Sequence, residues 1–242
     1  MRIRGERECQ NCETRWSYYD TGSINCPNCG SIRSLGVEER THHTDSPTSF
    51  DLTDVRTRFD RDPIVDVIED TKRRCREYVR RRGFVRAGDL LDLDDTYLAA
   101  AELAHVADVV GRRFSPTDEE ELYLLGLVGG ADAGDRPDPE TVPESMRAAR
   151  GLAYANAVFD YRREIREWLD TSNSEERARS MPEVRAALDG VDQHAKRIRA
   201  LDGDVDPRDA ERLLEAVRDL GTALRDGDEV ALSAARDRID RL

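Results

Sequence analysis

Cys9 and Cys12 are followed, after thirteen intervening residues, by Cys26 and Cys29. Two Cys-x-x-Cys knuckles a hairpin's length apart supply four soft thiolates from two directions, the donor set of a tetrahedral metal. Zinc is the metal expected at Cys9, Cys12, Cys26 and Cys29, with iron the alternative in a tetrathiolate site. In a reducing compartment four paired cysteines serve as ligands rather than as disulfides. About forty residues bury too little apolar surface to fold unaided, so the metal is expected to supply the folding energy of this segment, roughly 10–16 kcal/mol for structural zinc.

Other residues offer weaker chemistry. His42 and His43 lie in a Thr-, Ser- and Asp-rich stretch; with the cysteine set complete, they read as surface residues of a loop. Glu102 and His105 have the Glu-x-x-His spacing of a di-iron bundle ligand pair, but His194 is preceded at that spacing by Val191. A surface or core-edge pair on a helix is the expectation there. Seven arginines fall within the fourteen residues Arg73 to Arg86, with Tyr78 and Phe84 among them, and could contact phosphates. Acids on the same helix give them intramolecular partners, so nucleic acid is a weakly supported partner. Cys75 falls on an apolar helical stripe and reads as a buried inert thiol. A Gly-rich phosphate loop and a nucleophile paired with a base are both missing from the sequence, and no catalytic residue is assigned.

The elements that must position these groups are legible from periodicity and punctuation. Arg2 to Glu8 and Thr14 to Tyr19 read as strands around the first knuckle, with Asp20 to Ser23 as the turn leading back to the second. Alternation places Trp16 and Tyr18 on one face of that hairpin and Tyr19 on the other. Residues 1–37 form the expected ribbon and 38–61 a linker or a loop lying on the body. From residue 62 to 242 an α-helical domain is expected. Its first helix starts at Pro63 and stops at Gly83, with Ile64, Ile68, Thr71, Cys75 and Val79 on one stripe. Further helices are expected from Asp94 or Asp95 to Gly111, after Ser115-Pro116 to Gly129-Gly130, and over Pro143–Leu169, Pro182–Leu201, Pro207–Arg225 and from Asp228 onward. The Gly-, Asp- and Pro-rich residues 131–142 mark an internal break. The fold class is mainly α: a small N-terminal β ribbon followed by an antiparallel helical array.

The 242 residues carry 51 acids against 38 bases, net −13, and the only lysines are Lys72 and Lys196. This acid-rich, lysine-poor surface resembles that of cytoplasmic proteins from salt-in halophilic archaea. The residues Met1 to Glu8 are charged, unlike a secretory signal, and no run approaches the ~20 apolar residues of a membrane helix. The expected location is cytoplasmic, without a membrane partner.

The stretch Tyr19-Asp20-Thr21-Gly22-Ser23-Ile24-Asn25-Cys26-Pro27-Asn28-Cys29-Gly30 resembles the ribbon of archaeal transcription factor B, where an acidic turn with Gly and Ile precedes the second Cys-x-x-Cys-Gly. The whole chain resembles haloarchaeal proteins of uncharacterised function that carry such a ribbon (TFIIB-type) ahead of a helical body. The resemblance implies a ribbon that docks on a protein or ribonucleoprotein partner in transcription or translation. Transcription factor B also grips promoter DNA with two cyclin-like repeats. This body departs from that pattern, being acidic, without a duplicated five-helix unit, and about 180 residues long. The second knuckle, Cys-Pro-x-Cys-Gly, is also similar to rubredoxin-like proteins, which implies an iron-bearing electron carrier as the alternative. The expectation is a non-enzymatic zinc-ribbon adaptor whose contact face carries Trp16 and Tyr18, the alternative being that the ribbon packs these aromatics on its own helices.

Overall fold

The computed structural model describes residues 1–59, 61–112, 116–171 and 175–242, with side chains for all of these except 175–181. The chain begins with β1 (Arg2–Ile3), β2 (Glu6–Cys9) and β3 (Arg15–Ser17), a single helical turn α1 (Tyr18–Thr21), then β4 (Ser34–Gly36) and β5 (Thr41–His42). The central strand β2 pairs antiparallel with β3 and β4 on either side, and β1 pairs separately with β5, Arg2 opposite His42. Tyr18 and Tyr19 therefore leave the strand and enter a helical turn, which Gly22 closes at a φ of 61°. Strand propensity at these tyrosines gives way to the local turn geometry.

The body opens with α2 (Thr53–Phe59) and α3 (Ile64–Arg81), passes through the hairpin β6 (Val85–Arg86) and β7 (Asp89–Leu90), and continues with α4 (Asp95–Gly111) and α5 (Asp118–Gly130). Three short 3-10 turns over residues 131–146 lead into α6 (Arg147–Thr171), followed by α7 (Glu175–Ala200), α8 (Pro207–Asp226) and α9 (Glu229–Ile239). The chain is mainly helical with small N-terminal sheets, as its periodicity predicts.

Helix starts follow local chemistry. The Asp94 carboxylate accepts from the Tyr97 amide at 2.7 Å, and Thr117 and Glu120 form a reciprocal capping box. Asp206 and Asp228 cap α8 and α9. These satisfy amides that a first helical turn leaves without partners. The expected cap Ser115 lies outside the described residues. Helix α7 runs through Pro182 instead of starting at it, at the expense of one helical hydrogen bond.

Helix α4 is buried nearly all round. Its Leu98 and Ala101 enter a core built with α6, α7, α8 and α9, while Ala99, Leu103, Val106 and Val110 enter a second core with α2, α3 and α5. A helix apolar on every side must lie between two layers. On α3 the buried face is Val67, Ile68, Thr71, Cys75 and Tyr78, so the stripe is rotated slightly from the expected one, with Ile64 and Val79 at its margins. Where α6 crosses the turn between α7 and α8, a side chain on Gly151 would come within 2.1 Å of the Gly203 carbonyl oxygen, and glycine permits the approach.

The described residues of the expected linker, 38–59 and 61, lie against both parts. Leu52 and Val55 are fully buried, and Arg56 pairs with Asp132 at 2.8 Å. His42 and His43, expected at the surface, are buried. His42 belongs to the β1–β5 pair. His43 packs its ring 4.6 Å from that of Tyr19 and accepts at Nδ1 from the Ala87 amide at 3.4 Å. The covering groups come from residues distant in sequence, which local composition does not reveal. Ala87 and Gly88 turn the β6–β7 hairpin with φ values of 55° and 93°, as the twist of a two-residue hairpin demands. Gly88 donates its amide to His42 and accepts at its carbonyl from the Trp168 indole at 2.7 Å. This hairpin is the seam between ribbon and helices. None of the described helices is long and apolar enough to cross a membrane.

Candidate metal centre

Strand β2 ends at Cys9, and both knuckles close by the same backbone pattern. The Glu13 amide donates to the Cys9 carbonyl at 3.0 Å, and the Gly30 amide to the Cys26 carbonyl at 2.9 Å. One residue further on, Thr14 and Ser31 return carbonyls to the amides of Cys9 and Cys26, each at 2.9 Å. The residue after each second cysteine is left-handed, Glu13 at φ 58° and Gly30 at φ 70°. Glycine takes this conformation freely, whereas Glu13 adopts it under the pressure of the knuckle.

The four sulfurs converge within 4.8 Å of one another. Cys9 and Cys29 are 3.6 Å apart, Cys12 and Cys26 3.6 Å, and Cys12 and Cys29 3.4 Å. A tetrahedral ion with metal–sulfur bonds of about 2.3 Å holds its sulfurs about 3.8 Å apart, so the donor set and spacing fit such an ion closely. These four cysteines are positioned to hold a metal. Hydrogen bonds from the Thr14 hydroxyl and the Thr14 amide hold the Cys12 thiol down at about 6, whereas Cys29, although a Ser31 backbone hydrogen bond lowers it, is pushed up to about 11 by the neighbouring Cys12 sulfur; a bound cation would draw both toward the ligating thiolate.

Two neighbours escape a reading of the cysteines alone. The Asn11 side-chain amide lies 3.8 Å from the Cys29 sulfur, and that of Asn28 lies 3.8 Å from the Cys12 sulfur. The signal was present as a repeat: Cys-Gln-Asn-Cys and Cys-Pro-Asn-Cys carry asparagine at the same place.

The centre is one-sided. Cys9 and Cys26 are buried, Cys12 is half-buried and Cys29 exposed. Trp16 is buried with Cys9 and Cys26, and its indole donates to the Ser23 carbonyl at 3.0 Å. The expected contact face of Trp16 and Tyr18 is thus corrected: Trp16 belongs to the ribbon's own small core, and Tyr18 lies in α1 beside His43. Exposed apolar groups of the ribbon lie elsewhere, at Ile24, Ile32, Leu35 and Val37. Leu35 and Val37 project from the same face of the β4 edge, since strand residues two apart share a face.

The remaining candidates have structural partners. Glu102, expected at a surface or core edge, is fully buried. It accepts from the Tyr154 hydroxyl at 2.7 Å and from the Tyr123 hydroxyl, and lies 3.5 Å from the Arg150 guanidinium. Burial pushes its carboxyl up, opposed by Arg150 and the two phenols. The partners lie 21 to 52 residues away, so the sequence shows only one acid on an apolar helix. Half-buried His105 does not join Glu102 in a ligand set; among the described residues, the four cysteines are the one cluster placed to hold a metal ion. In the arginine cluster, Arg73 and Arg74 pair with Asp70, Arg76 with Asp108, Arg82 with Asp45 and Asp94, and Arg86 with Asp20. Cys75 is fully buried, and burial pushes its thiol up, as befits an inert core residue.

Fold and site together define a mainly helical protein carrying a four-cysteine ribbon suited to a metal. Over residues 1–239 the chain matches the family of unknown function DUF7117, and it belongs to that family. No curated protein and no solved structure matches it.

Proposed function

We propose that the chain is a non-enzymatic adaptor whose four cysteines hold zinc as a structural staple and whose ribbon docks on a protein or ribonucleoprotein partner. The observation that carries this is the uncovered apolar set Ile24, Ile32, Leu35 and Val37, between 47% and 73% exposed on one small metal-fitted unit. Several large apolar groups left in the open on so small a unit favour a contact surface. The likeness of Tyr19–Gly30 to the transcription-factor-B ribbon supports a partner in the transcription or translation machinery. The acid-rich surface supports a cytoplasmic setting in a salt-in cell. Pairing of Arg73, Arg74, Arg76, Arg81, Arg82 and Arg86 with carboxylates, six of the seven arginines of the cluster, favours protein over nucleic acid as the partner.

The test is co-purification at native salt with wild type, Leu35→Asp and Cys26→Ser. Loss of the same partners in both variants, with zinc retained by Leu35→Asp, is the expected result. Partners that remain bound to both variants would remove the ribbon as the contact surface.

The exposed edge at Cys29 favours one second reading, a rubredoxin-like electron carrier, because an iron there would lie at the surface where electrons exchange. Metal analysis with a visible spectrum separates the two. Ferric tetrathiolate absorbs visible light, zinc does not, and a coloured protein that cycles between redox states overturns the adaptor.

A further inference from the structure

Between α3, α4 and α6 lies a cavity of about 590 Å³, within the range of small-molecule sites, roughly 300–1,000 Å³. Its floor comes from facing alanines, Ala101 and Ala104 of α4 and Ala153 and Ala157 of α6, all buried. Elsewhere α4 fills its cores with Leu98, Leu103 and Val106; here short side chains on both helices leave the space open. Tyr97 and Phe84 form an aromatic wall.

The mouth carries the opposite of the chain's overall charge. Five arginines line the cavity against two carboxylates, Asp160 and Glu164, in a chain of net charge −13. Both carboxylates are engaged. Glu164 accepts from the Thr44 hydroxyl at 2.5 Å and the Phe84 amide at 2.6 Å, and Asp160 pairs with Arg163 at 3.1 Å. Arg76 and Arg82 have acidic partners outside the cavity. Arg80 and Arg199 have no carboxylate within ion-pair distance among the described residues, although Arg199 lies 5.2 Å over the Phe159 ring and near enough to Asp160 to oppose the burial that pushes that carboxyl up.

We infer that this cavity binds a small amphiphilic organic anion, its apolar body on the alanine floor and its carboxylate or phosphate head between Arg80 and Arg199. An inorganic anion would gain nothing from the apolar floor, and a neutral apolar molecule nothing from two guanidiniums whose N–H donors make no ion pair among the described residues, a group that binds oxyanions with paired N–H donors. The site shares no residue with the metal centre or the ribbon's apolar face, and stands whether or not the ribbon is an adaptor.

The test uses the full-length, metal-loaded chain and the aromatic sulfonate 1-anilinonaphthalene-8-sulfonate, followed by fluorescence, with decanoate and decyl phosphate as competitors that distinguish the two head groups. One saturable site per chain is expected, displaced by at least one competitor. Arg80→Ser and Arg199→Ser each weaken binding by about tenfold, the loss of one charge-assisted hydrogen bond, without a change in melting temperature. Ala157→Phe fills the floor and abolishes binding. Arg185→Ser, exposed and away from the cavity, and Leu35→Asp on the ribbon leave binding unchanged. Absence of a saturable site, or equal affinity in Arg80→Ser, Arg199→Ser and wild type, overturns the inference. Should Ala157→Phe not fold, the two arginine variants decide the matter.

Discussion

Asn11 and Asn28 mirror each other across the four cysteines, each directing its amide to the last sulfur of the other's knuckle, Asn11 to Cys29 and Asn28 to Cys12. The two halves of the site are thereby linked by side chains as well as by any ion between them. Donors to a thiolate draw off negative charge and fix the ligand's rotamer. Asn11→Ala and Asn28→Ala are each expected to weaken metal binding by about tenfold, the lower end for groups behind the ligands. Competition with a chromophoric chelator measures this; unchanged affinity in both variants would show the amides to be bystanders.

Removal of the metal should unfold the ribbon and spare the helices. The ribbon's own core is little more than Cys9, Trp16 and Cys26, whereas the body has two extended cores. Chelation is expected to open residues 5–36 to proteolysis with little loss of helical circular dichroism. Loss of the helical signal in step with the metal would mean that the ribbon holds the body together.

Acid should destabilise the fold through its histidines. His42, His43, His105 and His194 are all held below the ordinary value of 6.5, each chiefly by burial. A histidine whose pKa is lowered on folding binds its proton more readily unfolded, so its contribution is intact above about 6.5 and is lost as pH falls through the folded value. His42 Nδ1 and His43 Nε2 are buried without hydrogen-bond partners, which adds to the penalty of charging them. Melting temperature should fall between pH 7 and 5, and His43→Phe should flatten that slope; an equal slope in the variant would place the acid sensitivity elsewhere.

The fully buried carboxyl of Glu102 is the shared acceptor of two phenols, and its replacement is expected to destabilise the helical core. Glu102→Leu leaves the Tyr123 and Tyr154 hydroxyls without their buried acceptor, while Arg150 keeps the Glu211 carboxylate and the Pro137 carbonyl, and should cost about 1–3 kcal/mol for each hydroxyl left unpaired. Glu102→Gln keeps an acceptor for the two phenols and should cost less. Urea unfolding of the three proteins gives the ranking, and equal stabilities would refute it.

The helices were legible because their ends are written in local chemistry: Asp94, Pro207 and Asp228 start α4, α8 and α9 where capping rules place them. The four cysteines were legible for the same reason, since their spacing is itself the geometry. What escaped depends on distant partners. The hairpin at Ala87-Gly88 uses an alanine where glycine or asparagine is usual. His42 and His43 are covered by Tyr19, Ala87 and the start of the chain, and α2 is a short helix whose buried Val55 is packed by α3 and α5. Glu102 looked peripheral because Tyr123, Arg150 and Tyr154 are on other helices.

The pairing of β1 with β5, reinforced where the chain's first amino group donates to the His43 carbonyl at 3.2 Å, loops residues 1–43 back onto the β6–β7 seam. The ribbon is thus a fixed projection and not a bait on a string. Under the proposed adaptor role, a partner would meet Leu35 and Val37 at a set angle to the helical body, and association would forfeit little tether freedom. In that role the whole molecule would be the unit of recognition, because the angle between tip and body is information that a detached ribbon would not carry.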